Sequence, residues 1–234
     1  MKKNIQTFLP IFILSAQVFA IAGFGAYGNF DLLKYPAGSS GDIQNYGVEY
    51  KGFDNAKGFG FLFYIDAIPV VDLEVDIEFV GNLYEYTPYL AGIPLASEDL
   101  PWGRVSTYVT IRKEILGLSI PLLAKAQLYG GVGFNKHKVV PIMTADVIKE
   151  ALGGDDLEAA LKLFEADTEE GAKDLAKSML DNVEDVSGFH LQAGVRGKLL
   201  MFNAFVNARY TIAKDVIPDK SGYPSLWVGL AIGI

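Results

Sequence analysis

The sequence predicts an all-β protein: an eight-stranded antiparallel transmembrane up-and-down β-barrel, with a helical insertion in one extracellular loop. Three observations carry that prediction. Apolar residues recur with period two through eight segments, most of them 9 to 12 residues long. The face opposite the apolar one is mixed, with glycines, tyrosines, amides and charges of both signs. The connections alternate between short and long.

Period two is the signature of a strand, because successive side chains leave it on opposite faces. The clearest case is VDLEVDIEF. Val71, Leu73, Val75, Ile77 and Phe79 point one way and Asp72, Glu74, Asp76 and Glu78 the other. The same alternation runs through Ile21–Phe30, Phe59–Asp66, Val105–Arg112, Ala124–Phe134, Phe189–Arg196, Ala204–Ile212 and Leu226–Ile234. A tilted strand needs about 9–11 residues to cross a bilayer, whereas ordinary strands have a mode of about 5–6. The lengths here suit the membrane.

The connections after the second, fourth and sixth strands are short: AIPV, KEILGLSIPL and KLLMFN. Those after the odd strands are longer and more polar. Short turns at one end and long loops at the other is the outer-membrane pattern. Both termini then lie at the short-turn, periplasmic end. A hairpin in NYGVEYKGF would raise the strand count to ten. The apolar turns Ile115–Leu123 and Leu199–Phe202 depart from the usual polar turn; they extend the lipid-facing band or touch a partner.

With lipid outside, the carboxylates of Asp72, Glu74, Asp76 and Glu78 face a narrow lumen. A barrel of eight strands has an interior just wide enough for side chains to fill. Buried charges there need partners. Arg112, Lys125, Arg196, Lys198 and Arg209 share the inward parity, and a lumen salt-bridge network is the expectation. A soluble barrel or sandwich would turn every face inside out.

Lys2 and Lys3 precede the apolar run Phe8–Ala20, which ends in the small-residue site Val18-Phe19-Ala20. This reads as a signal peptide over residues 1–20, with the barrel occupying 21–234; an uncleaved anchor is the alternative. Cysteine is absent from the 234 residues, which excludes disulfides, thiolate metal sites and a cysteine nucleophile.

Residues 142–186 form an acidic insertion of different character. Thr144 to Asp185 holds 13 acids and 4 lysines, so the rest of the chain beyond Lys3 is close to neutral. That balance argues against nucleic-acid binding. Thr144 is placed to cap a first short helix, Asp155 or Asp156 a second with Leu157, Leu161 and Phe164, and Thr168 a third with Ala172, Leu175, Met179 and Val183. The insertion could cover the barrel mouth, bind a partner or hold Ca²⁺. A DxDxDG-type loop is absent, and no metal or cofactor site is expected.

Catalytic signals are sparse. His137 is expected in a loop just past the fifth strand, and His190 on the inward face. Ser187 lies near His190 but falls on the other parity, and neither GxSxG nor a phosphate loop occurs. No enzyme is expected. Tyr84, Tyr86, Tyr89, Trp102, Tyr210 and Trp227 lie near strand ends, where they would form interfacial girdles or pack under loops.

The signal peptide, the eight alternating strands and the final LWVGLAIGI resemble small bacterial outer-membrane β-barrels of the OmpA, OmpX and OmpW kind. The end of such barrels is an assembly signal closing on an aromatic; here the last residue is Ile234. The resemblance implies insertion by the barrel-assembly machinery, contact with outer-membrane lipids and lipopolysaccharide, and a monomer. It leaves two roles open: a structural or surface-binding protein with a plugged lumen, or a narrow channel or transporter for small or hydrophobic solutes, gated by the helical loop.

Overall fold

Antiparallel pairing between successive long strands organises the computed structural model, which describes residues 22–66, 71–121, 123–152, 177 and 179–233. The residues read as a signal peptide lie outside the described residues, apart from the join at Ala22. Eleven strands occur among the described residues: β1 (Ala22–Tyr35), β2 (Gly38–Asp42), β3 (Tyr46–Tyr50), β4 (Phe53–Ile65), β5 (Asp72–Leu90), β6 (Ile93–Pro94), β7 (Glu98–Ile120), β8 (Ala124–Val139), β9 (Glu184–Leu199), β10 (Phe202–Ile212) and β11 (Gly222–Gly233). One helix, α1 (Ala145–Leu152), follows β8.

The sheet closes on itself. Going round, β1 pairs β4, β4 pairs β5, β5 pairs β7, and β7 to β11 pair in sequence until β11 meets β1 at Gly23↔Gly233. The closure is staggered. From Phe79 the register runs one way through Phe59, Gly28, Val228, Val206, Val195 and Leu128 to Leu116, yet the direct partner of Phe79 on the other side is Val105. Such an offset is required when tilted strands close into a barrel. Closure also removes sheet edges, the backbone groups that a bilayer cannot satisfy.

Each strand keeps one polar face and one apolar face. The outward positions are large, apolar and exposed: Phe24, Phe59, Phe61, Phe63, Ile77, Phe79, Val109, Ile111, Val132, Phe134, Phe189, Leu191, Val195, Val206, Val228 and Leu230. The inward positions are buried and carry the charges. An antiparallel sheet closed in a ring, apolar outside and charged inside, reverses the arrangement of a water-soluble protein and matches an outer-membrane β-barrel.

The structure differs from the sequence expectation at several elements. KEILGLSIPL is not a turn: β7 continues to Ile120 and the turn lies at residues 121–123. A register shift between Glu114 and Leu116 breaks the alternation there, which hides the strand in the sequence. The hairpin in the first loop does form, as β2 and β3, but it joins β5 above β4 rather than entering the ring. Eleven strands therefore stand where eight were expected, eight of them in the ring and three short ones outside it. The AIPV connection lies outside the described residues. The KLLMFN connection is a tight turn with Leu200 at φ 54, a left-handed conformation that is uncommon for a leucine.

Candidate functional site

Two tiers of ion pairs fill the middle of the ring. The first joins β1, β5, β7 and β10. Arg104 reaches Asp31 at 2.5 Å and Glu78 at 2.8 Å, and Arg209 reaches Glu78 at 3.3 Å and Asp76 at 3.1 Å. All five side chains are 0% exposed. The second tier joins the ends of β4 and β5 to β7 and β9. Arg112 meets Glu74 at 2.8 Å and Asp66 at 3.0 Å; Arg196 meets Asp66 at 3.0 Å, with Glu74 at 3.9 Å. Gln192 donates to the other oxygen of Glu74 at 2.7 Å.

Every cation in these tiers is an arginine, and aromatic rings lie against its planar face. The Arg209 guanidinium lies 3.7 Å from the Tyr108 ring centre and 5.2 Å from that of Trp227. Arg196 lies 4.2 Å from Tyr64, and Arg112 4.9 Å from Tyr129. A guanidinium can stack through its face while its edge serves two carboxylates, which an ammonium cannot do. Small residues make room for the rings: a Cβ on Gly60 would collide with the Tyr27 ring, and one on Gly194 with Asn207.

The residues singled out in the sequence divide into two groups. Glu74, Asp76, Glu78, Arg112, Arg196 and Arg209 come together in the tiers. Asp72 is half-buried opposite Arg112 in the register, with no ion pair to it within 4 Å. Lys125 pairs instead with Glu114 at 2.5 Å, and both side chains are about 40% exposed near the turn end. Lys198 is half-buried opposite Lys125. Asp31, Asp66 and Arg104 belong to the tiers but were not singled out. Arg104 lies one residue outside the predicted strand and keeps its inward parity, so extending the alternation to the true strand ends would have found it.

His137 corrects an expectation. It is not in a loop but inside β8, 0% exposed, with Nδ1 at 2.7 Å from Ser106 Oγ and Nε2 at 2.9 Å from Asn135 Oδ1. This is a Ser–His–Asn set by composition, yet Ser106 is 0% exposed and Arg104 crowds the same hydroxyl. A nucleophile needs room for a substrate atom about 3 Å away, and a neighbouring cation opposes proton uptake by the imidazole. The set works as lumen packing. His190 faces inward and meets Thr110 Oγ1 at 2.8 Å, while Ser187 is exposed on the opposite face.

Above the tiers lies an apolar cap. Leu33, Tyr46, Val48, Tyr84, Tyr86, Trp102, Ile142, Met143, Ile148, Val216 and Tyr223 are all buried in one cluster. α1 enters it because Thr144 caps its start: Thr144 Oγ1 accepts the Val147 N–H at 3.2 Å. Two backbone amides anchor its approach: Met143 N–H donates to the Tyr84 hydroxyl at 2.9 Å, and Ala145 N–H to Ser40 Oγ at 3.3 Å. The second and third helices expected in the insertion lie outside the described residues, save for Lys177 and residues 179–181. The aromatic girdle does not form as expected. Tyr84, Tyr86, Trp102 and Trp227 are buried inside, and among the six only Tyr210 stands exposed on the outer wall, because their parity is inward.

No family model and no curated relative matches the chain. Solved structures of similar shape are the outer membrane protein OprG of Pseudomonas aeruginosa, Neisserial surface protein A, and Ail, the attachment invasion locus protein of Yersinia pestis. OprG is 11% identical, with 92% of this chain and 96% of that one covered and a TM-score of 0.48. The corresponding values are 11%, 92%, 97% and 0.43 for the Neisserial protein, and 9%, 91%, 97% and 0.40 for Ail.

Proposed function

We propose that the chain is an outer-membrane protein of the Gram-negative envelope: an eight-stranded transmembrane barrel whose lumen is plugged, with a structural or surface-binding role. The observation that carries this reading is the burial of the first tier. Asp31, Asp76, Glu78, Arg104 and Arg209 span the lumen from four strands and are 0% exposed. Water that crossed the barrel at this level would touch them. The apolar cap closes the same passage a second time, from the loop end. A lumen held this way stiffens the barrel and leaves the loops as the surface that meets other molecules.

In this reading the short turns face the periplasm and the cap faces outward, after removal of residues 1–20 and insertion by the barrel-assembly machinery. The chain acts as a monomer and catalyses nothing. The test is single-channel recording of folded protein in planar bilayers at neutral pH. A silent barrel, with the heat-dependent gel shift of a closed one, is the expected result. Discrete conductance steps would refute the plug and favour a channel.

A further inference from the structure

The outer wall carries a groove at the loop end of the apolar belt, with a volume of about 550 Å³, lined by residues of β4, β5, β7, the end of β8 and the segment before β9. Its floor is bare backbone, because Gly81 and Gly103 face each other in the register with outward parity. Phe59, Phe79 and Val105 form its lower wall and are 55%, 38% and 40% exposed. Leu180, Val183 and Val140 close its upper side. Lys57 and Lys138 stand at its rim.

The charges facing the groove are few. Lys138 shares Asp185 with Lys136, at 3.7 Å and 3.4 Å, with all three side chains more than half exposed. Among the described residues no carboxylate lies within ion-pair reach of Lys57, whose ammonium sits 5.9 Å from the Phe30 ring centre. Below this level the outward positions of β4, β5 and β8 are apolar or small down to the turn end. An apolar slot in the lipid-facing belt with cations at its upper rim fits a molecule with a hydrocarbon body and an anionic head.

We propose that this groove is a binding site for a phosphorylated glycolipid of the outer leaflet, lipopolysaccharide by class. One acyl chain lies along the Gly81–Gly103 floor against Phe59, Phe79 and Val105. A phosphate of the head rests between Lys57 and Lys138. The proposal rests on the barrel reading above, which places this end of the belt in the outer leaflet.

Retention of purified lipid A tests it. Wild-type protein and two variants are folded into vesicles of lipid A and phosphatidylglycerol in equal amounts, extracted in mild detergent, and weighed intact by native mass spectrometry. The variants are the double substitution Lys57→Ala/Lys138→Ala, and Gly103→Leu. A Cβ at Gly103 meets only the Val80 carbonyl, at 3.4 Å, so leucine there fills the groove without breaking the sheet. Wild type should retain one lipid A. The lysine variant should lose it about thirtyfold, at about tenfold per 1.4 kcal/mol and about 1 kcal/mol per cation, and Gly103→Leu should lose it as well. All three should keep the heat-dependent gel shift. Equal retention in all three, or equal retention of phosphatidylglycerol by wild type, overturns the site. Absence of the gel shift in wild type overturns the barrel reading instead.

Discussion

Removing Arg209 should leave one particular carboxylate stranded. Arg209 holds Asp76 at 3.1 Å and Glu78 at 3.3 Å. Glu78 keeps a second cation, Arg104, at 2.8 Å. Asp76 has no other arginine within 4 Å among the described residues. In Arg209→Met the methionine retains part of the contact with Tyr108 and Trp227, and the electrostatic loss falls on Asp76. Breaking a buried pair by deleting one partner destabilises by about 3–5 kcal/mol. Adding Asp76→Asn removes the stranded charge and should restore about half or more of that loss. Adding Glu74→Gln should restore none, since Glu74 keeps Arg112 at 2.8 Å. The assay is urea unfolding in phospholipid vesicles, followed by Trp227 fluorescence, because the indole lies 5.2 Å from the Arg209 guanidinium. A loss under about 0.5 kcal/mol, or equal rescue by Asp76→Asn and Glu74→Gln, would refute a lumen held together by specific pairs.

Leu191 is outward and 53% exposed; Leu191→Arg should destabilise the barrel in vesicles by about 2–4 kcal/mol, as a cation at the bilayer midplane does, whereas in a soluble fold it would be close to neutral. Thr144→Ala removes the cap of α1 and should weaken the helix by about 1 kcal/mol, seen as faster amide exchange at Val147. Ile148 is 0% exposed in the cap; Ile148→Ala should lower cap stability by about 2–5 kcal/mol and speed proteolysis within the insertion. That variant should still conduct no ions, because the ion tiers below are untouched; conductance on cap removal alone would assign the block to the cap.

Period two made the membrane-spanning parts readable, since lipid enforces it on every outward side chain. Val71 to Phe79 shows this most plainly: the apolar residues face out and Glu74, Asp76 and Glu78 are buried. Parity also placed Arg112, Arg196 and Arg209 among those acids. The misreadings share a physical cause: above and below the bilayer no lipid enforces alternation. There β5 runs on to Leu90 and β7 from Glu98, Arg104 was left outside its strand, and His137 was read as a loop residue. The shift at Glu114/Leu116 exchanged the two faces and made β7 look like a turn. Which charge pairs with which depends on the stagger between strands, and no single strand records it. Lys125 shows the consequence, with the right parity but a height near the turn end, where Glu114 is its partner.

The chain lacks cysteine, so single cysteines placed along one strand report its two faces cleanly. Leu73→Cys, Val75→Cys, Ile77→Cys and Phe79→Cys, each carrying a nitroxide spin label, should be strongly relaxed by oxygen dissolved in the bilayer. Glu74→Cys and Glu78→Cys should be shielded from both oxygen and a water-soluble nickel chelate. Alternation of that sign in folded, vesicle-inserted protein is the result a lipid-facing wall around a filled lumen requires. Access of the nickel chelate to positions 74 and 78 would contradict the filled lumen, and its access to 75 and 77 would contradict the membrane barrel itself.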